Sequence, residues 1–139
     1  MLDTGANTLS ISSLNPASTY AILQLNDTTP PSIALNLPAE GFLANSSSVS
    51  FSFTAADDYS PTMNCSIFID GTLNQTNSST LNNSLTSFSA TLANGRHTWY
   101  VRCTDQANNT NSSATRTLYV DTQPPNIVLN SPPDGYQPF

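Results

Sequence analysis

A sixteen-residue string occurs twice in this chain. Asp27-Thr-Thr-Pro-Pro-Ser-Ile-Ala-Leu-Asn-Leu-Pro-Ala-Glu-Gly-Phe42 returns as Asp121-Thr-Gln-Pro-Pro-Asn-Ile-Val-Leu-Asn-Ser-Pro-Pro-Asp-Gly-Tyr136, nine of sixteen positions identical at an offset of 94 residues. A period of that length matches a small β-sandwich domain in a tandem array. Each copy opens on a proline pair, which fixes φ, favours extended backbone and stiffens the junction. Residues 27–121 therefore read as one complete domain. Residues 1–26 read as the trailing part of a preceding domain or an exchange strand, and 122–139 as the start of the next repeat or a donor strand.

Composition narrows the class. Twenty Ser, 18 Thr and 16 Asn make up 54 of 139 residues, a turn- and strand-favouring mixture that points to an all-β chain. There is no Lys, and three Arg face nine acids for a net charge of -6, so no basic surface exists to neutralise nucleic-acid phosphates. The length leaves room for only a small core and excludes large catalytic architectures. No apolar run approaches the roughly 18 residues of a membrane helix, so no membrane insertion is expected within this segment. Met1 is not followed by a charged and then an apolar region, from which we expect a mature or excised piece.

Within 27–121, period-2 alternation predicts six or seven strands. The first is Ser32 to Leu37, ending at Pro38-Ala-Glu-Gly41. Ser48 to Ala55 places Val49, Phe51 and Phe53 on one face. Met63 to Ile69 aligns Met63, Cys65, Ile67 and Ile69 and closes on Asp70-Gly71, a positive-φ hairpin turn. A short return strand over about 72–75 follows. Ser84 to Leu92 carries Phe88, Ala90 and Leu92, and Asn94-Gly95 reads as another hairpin turn. Arg96 to Asp105 sets His97, Trp99, Val101 and Cys103 against Tyr100 and Arg102. Ala114 to Val120 turns Leu118 and Val120 inward. The expected core is Val49, Phe51, Phe53, Ile67, Trp99, Val101, Leu118 and Val120.

Cys65 and Cys103 both fall on inward phases. In a Lys-free chain rich in Ser, Thr and Asn they read most simply as one disulfide formed in an oxidising compartment, two reduced core cysteines being the alternative. Closing a loop of about 39 residues would remove denatured-chain entropy worth roughly 4 kcal/mol.

The stretches Cys65-Ser-Ile-Phe-Ile-Asp-Gly71, Leu92-Ala-Asn-Gly-Arg-His-Thr-Trp-Tyr-Val-Arg-Cys-Thr-Asp-Gln-Ala-Asn-Asn109 and Tyr119-Val-Asp-Thr-Gln-Pro-Pro125 resemble the immunoglobulin-like tandem repeats of bacterial and archaeal cell-surface proteins. The resemblance covers about 27–136 and implies an immunoglobulin-like β-sandwich of about seven strands with flanking extended segments. It implies a secreted adhesin, stalk, sheath or filament subunit, extracellular or at the cell surface. Unlike antibody domains, whose bridge joins strands B and F, this chain has its first Cys on the third strand, and its Trp lies four residues before the second Cys. Trp99 is expected to plug the core beside the bridge. Separately, Thr8 to Leu25, with its Leu14-x-Pro16-x-x-x-Tyr20 spacing, resembles the tyrosine-corner region of fibronectin type III domains.

Eight Asn-x-Ser/Thr sequons occur, at Asn26, Asn45, Asn64, Asn74, Asn77, Asn82, Asn108 and Asn111, about twice the number chance would supply from this composition. They fall in predicted loops, near strand edges or, for Asn64, on an outward phase, and N-linked glycans are expected there. Asp57-Asp58, Asp105, Asn108, Asp27 and Asp121 are candidate oxygen ligands for calcium, although no EF-hand spacing is present and Asx-turns explain the same residues. No other cofactor is expected. His97 is the only histidine, so no zinc set or base–nucleophile pair can be assembled, and it reads as a core or boundary residue. Asp3-Thr4-Gly5 resembles the active-site loop of aspartic proteases but lacks a second copy to share the proton. Tyr20, Tyr100 and Tyr119 could stack on sugars or simply pack across strands.

These readings converge on a non-enzymatic, glycosylated structural repeat. Its partners would be adjacent repeats or neighbouring copies, joined in one version by donation of a strand around 126–130. The competing reading is an adhesin-type module that binds glycan or protein through loops 56–62 and 106–112.

Overall fold

The computed structural model describes residues 8–11, 23–131, 135 and 137, all of them strand, turn or extended chain. No helix long and apolar enough to cross a membrane is present among the described residues. Two short strands, β1 (Thr8–Ile11) and β2 (Leu23–Asn26), pair antiparallel as a separate ribbon. The sandwich begins at β3 (Ser32–Leu37) and continues through β4 (Phe42–Ala44), β5 (Ser48–Ala56), β6 (Thr62–Ile69), β7 (Thr72–Leu81), β8 (Ser84–Thr91), β9 (Gly95–Thr104), β10 (Thr110–Ser112) and β11 (Arg116–Val120). One sheet has the order β3-β5-β8; the other runs β4-β11-β9-β6-β7, with β10 pairing the far end of β9. All pairings are antiparallel except that of β4 with β11.

The alternation in β5 drives one wall of the core. Val49, Phe51, Phe53 and Ala55 are buried, and Phe88 on β8 stacks on Phe53 with ring centroids 5.8 Å apart. The opposite wall comes from Met63, Cys65, Ile67 and Ile69 on β6, Trp99, Val101 and Cys103 on β9, and Leu118 and Val120 on β11. Trp99 has no exposed surface and meets the Phe51 ring edge-on at 5.1 Å, so the largest side chain of one sheet locks into the other. Each such aromatic removes on the order of 150–250 Å² from water. Cys65 and Cys103 face each other directly in the neighbouring strands β6 and β9, Cα atoms 4.1 Å apart, and form a disulfide within one sheet.

Three features differ from the sequence reading, each for a local reason. The return strand β7 runs to Leu81 instead of stopping near residue 75. Its run Asn74-Gln-Thr-Asn-Ser-Ser79 is mostly solvent-facing at a sheet edge, so no apolar alternation marks it. The three-residue strands β4 and β10 also lack a readable period, and raise the sandwich to nine strands. Asn94-Gly95 is not a hairpin turn: β8 and β9 lie in different sheets, and residues 92–94 cross between them. Residues 126–130, expected to open a following repeat or to be donated to a neighbour, lie exposed outside the two sheets. Asp70-Gly71, by contrast, has φ of 51° and 76°, the two positive values a tight β6–β7 hairpin turn requires.

β9 sets the polarity of the molecule. Its first residue, Gly95, pairs with Val120 at the end of β11, while Thr104 at its other end pairs with Thr110 in β10. The chain thus leaves the sandwich at Asp121 one β9 length, roughly 30 Å, from the Asp105 loop. Asn109 Nδ2 donates to the Asp27 carbonyl at 3.2 Å, which puts the point of entry at that Asp105 end. Entry and exit lie at opposite poles.

Candidate functional site

At the entry pole three segments meet: the linker 27–31, the β5–β6 loop and the β9–β10 loop. The linker is strapped down on both sides, since Asn109 Nδ2 reaches the Asp27 carbonyl and Asn111 Nδ2 donates to the Pro31 carbonyl at 2.9 Å. Pro31 is fully buried. In the β5–β6 loop Asp57 Oδ1 accepts the amides of Tyr59 and Ser60 at 3.1 and 2.7 Å, an Asx-turn. In the β9–β10 loop Asp105 accepts the Asn109 amide through Oδ1 and the Asn109 side chain through Oδ2, both at 2.8 Å. Asn108 occupies the left-handed region there, φ 71°.

The consequence is a cluster of carboxylates. Asp27, Asp57 and Asp105 each bring one oxygen to within 4.8 Å of the other two. Asp27 is only 6% exposed, and its Oδ2, like Oδ2 of Asp57, is buried without a hydrogen-bond partner. Of the acidic and amide residues singled out from sequence, Asp58, Asn108 and Asp121 stay outside this cluster. Asp58 Oδ2 accepts the Thr29 hydroxyl at 3.5 Å, and Asp121 lies at the exit pole, its Oδ1 accepting the Gln123 amide at 3.0 Å.

The sequons divide by what their amides already do. Asn26, Asn45, Asn64, Asn74 and Asn108 are exposed, and Asn64 stands on the outer face of β6 while Cys65 beside it points inward. Asn77 is half-buried on β7, its Oδ1 accepting the Ser79 amide at 3.0 Å. Asn82 departs from the expectation of a projecting side chain: it pairs with the Asp57 backbone, accepting its N–H at 3.0 Å and donating Nδ2 to its carbonyl at 2.7 Å. Asn111 likewise commits Nδ2 to Pro31. Nδ2 is the atom a glycan would take, and at these two positions one of its two N–H groups is committed to the fold.

The remaining candidates differ in what engages them. Tyr100 stacks on Phe68 with centroids 4.9 Å apart, and the Arg102 guanidinium sits 5.3 Å from the centre of the Phe68 ring, so the Tyr100 face is engaged across strands. Tyr119 is exposed beside an open groove of about 840 Å³ at the exit pole. His97 is mostly buried at the boundary, its Nδ1 2.7 Å from Asp70 Oδ2 and its Nε2 2.9 Å from the Ala93 carbonyl. Two acceptors facing both ring nitrogens favour the doubly protonated imidazolium, and the hydrogen bond to Asp70 raises its pKa above 6.5. Asp3-Thr4-Gly5 and the Leu14-x-Pro16-x-x-x-Tyr20 motif lie outside the described residues.

Two facing sheets, an inter-sheet aromatic core and poles joined by polar loops define an all-β immunoglobulin-like sandwich. The chain belongs to the bacterial Ig-like domain family, whose model matches residues 39–122. Two solved structures share the fold. One is a fibronectin(III)-like module of Clostridium thermocellum CbhA, with a TM-score of 0.53 and 17% identity over 70% of this chain and 100% of that one. The other is the PKD domain of an M14-like peptidase from the Thermoplasmatales archaeon SCGC AB-540-F20, with a TM-score of 0.50 and 17% identity over 66% and 92% of the two chains. At this identity the likeness is one of fold alone. No curated protein sequence matches the chain.

Proposed function

We propose that this chain is an extracellular, non-catalytic structural unit, an Ig-like repeat of a glycosylated cell-surface stalk, fibre or filament. The observation that carries this reading is the exit segment. Ile127 and Leu129 are 77% and 88% exposed, yet they repeat Ile33 and Leu35, which pack against the core from β3. A segment that opens the sandwich as β3 at one pole thus recurs in sequence, uncovered, at the other. Its natural place is the first strand of a following sandwich, supplied either by the same chain or by a neighbouring copy through strand donation.

Further features agree with that role. Poles at opposite ends suit a linear string, and the internal disulfide resists unfolding. Exposed sequons suit a glycan coat that would supply solubility in a chain with so few charges and shield the open edge of β7. Ig-like domains of this type commonly occur in extracellular or surface proteins and are generally non-catalytic. The adhesin alternative would use the loops of the entry pole, where Asp57, Ser60 and Asn109 are hydrogen-bonded into the fold while Tyr59 is 53% exposed.

Immunogold electron microscopy on native cells, with an antibody raised against 27–121, tests the proposal. Label along surface fibres or stalks is the expected result, and label confined to the cell interior would overturn it. Intact mass of native material should exceed that of the bare polypeptide.

A further inference from the structure

We infer that Asp27, Asp57 and Asp105 form a calcium site that clamps the entry linker to the pole of the sandwich. Three carboxylates converge, and all three Arg of the chain are engaged elsewhere: Arg96 with Thr117, Arg102 with Ser112 and the Phe68 ring, and Arg116 with the carbonyls of Leu35, Asn36 and Pro38. There is no Lys to supply a further positive charge. Like charges so close repel, and burial amplifies the repulsion.

Asp27 is more than nine-tenths buried, and its Oδ1 is spent on the Thr29 amide at 2.9 Å. Oδ2 is what remains for the cluster, and it has no hydrogen-bond partner. Asp57 repeats the pattern, with Oδ1 spent on two amides and Oδ2 unpaired. A buried carboxylate oxygen without a partner is costly unless a cation or a proton occupies the space before it. The turn geometry therefore uses one oxygen of Asp27 and of Asp57 to hold the residue and leaves the other as a ligand, while Asp105, whose two oxygens each accept one bond from Asn109, would join through a remaining lone pair.

The geometry selects the class of ion. Calcium binds oxygens at 2.3–2.6 Å, so two ligands on opposite sides of one ion lie about 4.6–5.2 Å apart. Mutual separations within 4.8 Å fit three ligands of a single such ion. Calcium also accepts carboxylates delivered by separate, irregular segments. Magnesium keeps its waters and is held by one or two carboxylates in near-ideal octahedra. The three ligands come from the linker, the β5–β6 loop and the β9–β10 loop, so the ion would fasten to the sandwich the one segment that joins it to whatever precedes it.

Calcium titration of the full chain, stripped with EDTA and dialysed, tests the site by isothermal calorimetry and thermal melting. One ion per chain and a rise in Tm are expected, with Mg2+ giving a weaker response. Asp27→Asn retains the Oδ1 acceptor for Thr29 and removes one charge. It should melt no lower than wild type in EDTA, yet lose calcium affinity at least 10-fold. Asp121→Asn, which changes the repeated motif at the other pole, should leave the affinity unchanged. A wild-type Tm and heat signal indifferent to calcium would overturn the site, as would unchanged affinity in Asp27→Asn. A response to Mg2+ equal to that to Ca2+ would overturn the assignment of the ion.

Discussion

The two Asp-Thr-x-Pro-Pro junctions share their sequence and differ in nearly everything else. At the entry pole Asp27 and Pro31 are buried, the linker is held by Asn109 and Asn111, and Ile33 and Leu35 pack against the core. At the exit pole Asp121 and Pro125 are exposed, the Asp121 amide donates to the Ala44 carbonyl at 2.9 Å, Asn94 accepts the Thr122 amide and hydroxyl, and Ile127 to Leu129 face solvent. Local chemistry is common to both, down to the Asx-turn in which each Asp accepts the amide two residues on. What differs is the presence of loops 57–60 and 105–109 to receive the segment. The motif is thus an opening that only the sandwich following it completes.

The largest expected effect tests whether the entry pole owes its order to the sandwich. The disulfide ends at Cys103, two residues before Asp105, and ties β9 to β6. Replacing Cys65 and Cys103 together by Ala should lower the unfolding free energy by roughly 4 kcal/mol on the loop-closure model. Chemical denaturation monitored by Trp99 fluorescence measures it; a loss below about 1 kcal/mol would show that the denatured chain is already constrained there.

Next, equivalent residues of the repeat can be truncated in parallel. Ile33→Ala should cost about 2 kcal/mol, at the low end for aliphatic truncation because the side chain is only partly buried. Ile127→Ala should change the stability of the isolated chain by less than about 0.5 kcal/mol. Equal costs would mean that 126–130 is packed in solution, as in a strand-donated assembly, and the concentration dependence of Tm would then identify it.

The straps give a smaller contrast. Asn109→Ala removes two hydrogen bonds from a half-buried amide and should cost about 1–2 kcal/mol in calcium-free buffer. Asn94→Ala removes exposed bonds to Thr122 and should cost at most about 0.5 kcal/mol. Thermal melts of both variants compare the poles directly.

How much of this was legible in the sequence depends on whether a strand separates its faces. β5 and β9 alternate apolar with mostly polar side chains because one face meets the opposite sheet, so Val49, Phe51, Phe53, Trp99 and Val101 could be named as inward-facing from periodicity alone, whereas the burial of Ser52 on the other face of β5 could not. β7 could not be delimited, since most of its residues are solvent-facing and its run from Asn74 to Ser79 is polar throughout. The entry cluster was half legible. Aspartates at strand ends stand out, but Asp27, Asp57 and Asp105 share no local spacing, and only the topology shows that these three converge while Asp58 and Asp121 do not. The commitment of Asn82 to the Asp57 backbone is a long-range contact that no sequon pattern could signal.

The exit pole carries the smallest expected effect, and the one that depends on pH. Asp70 is half exposed, and although its partial burial works against the charged form, hydrogen bonds from His97 and the Thr98 amide hold its pKa below 3.8. The bond to Asp70 raises that of His97 above 6.5. For His97 the folded value exceeds the unfolded one, so its contribution is complete below about pH 6.5 and fades as pH rises through the raised value. For Asp70 the folded value is the lower, so its contribution is present above about pH 3.8 and fades as pH falls through the depressed value. The pair therefore stabilises most between those limits. Because Asp70 is exposed, solvent screening keeps the gain under about 1 kcal/mol. Urea unfolding in calcium-free buffer should give a slightly more stable protein at pH 5.5 than at pH 8.5, and Asp70→Asn should flatten that difference. A calcium-free wild type that gains stability from pH 5.5 to 8.5 would mean that the imidazolium is not the form the folded protein prefers.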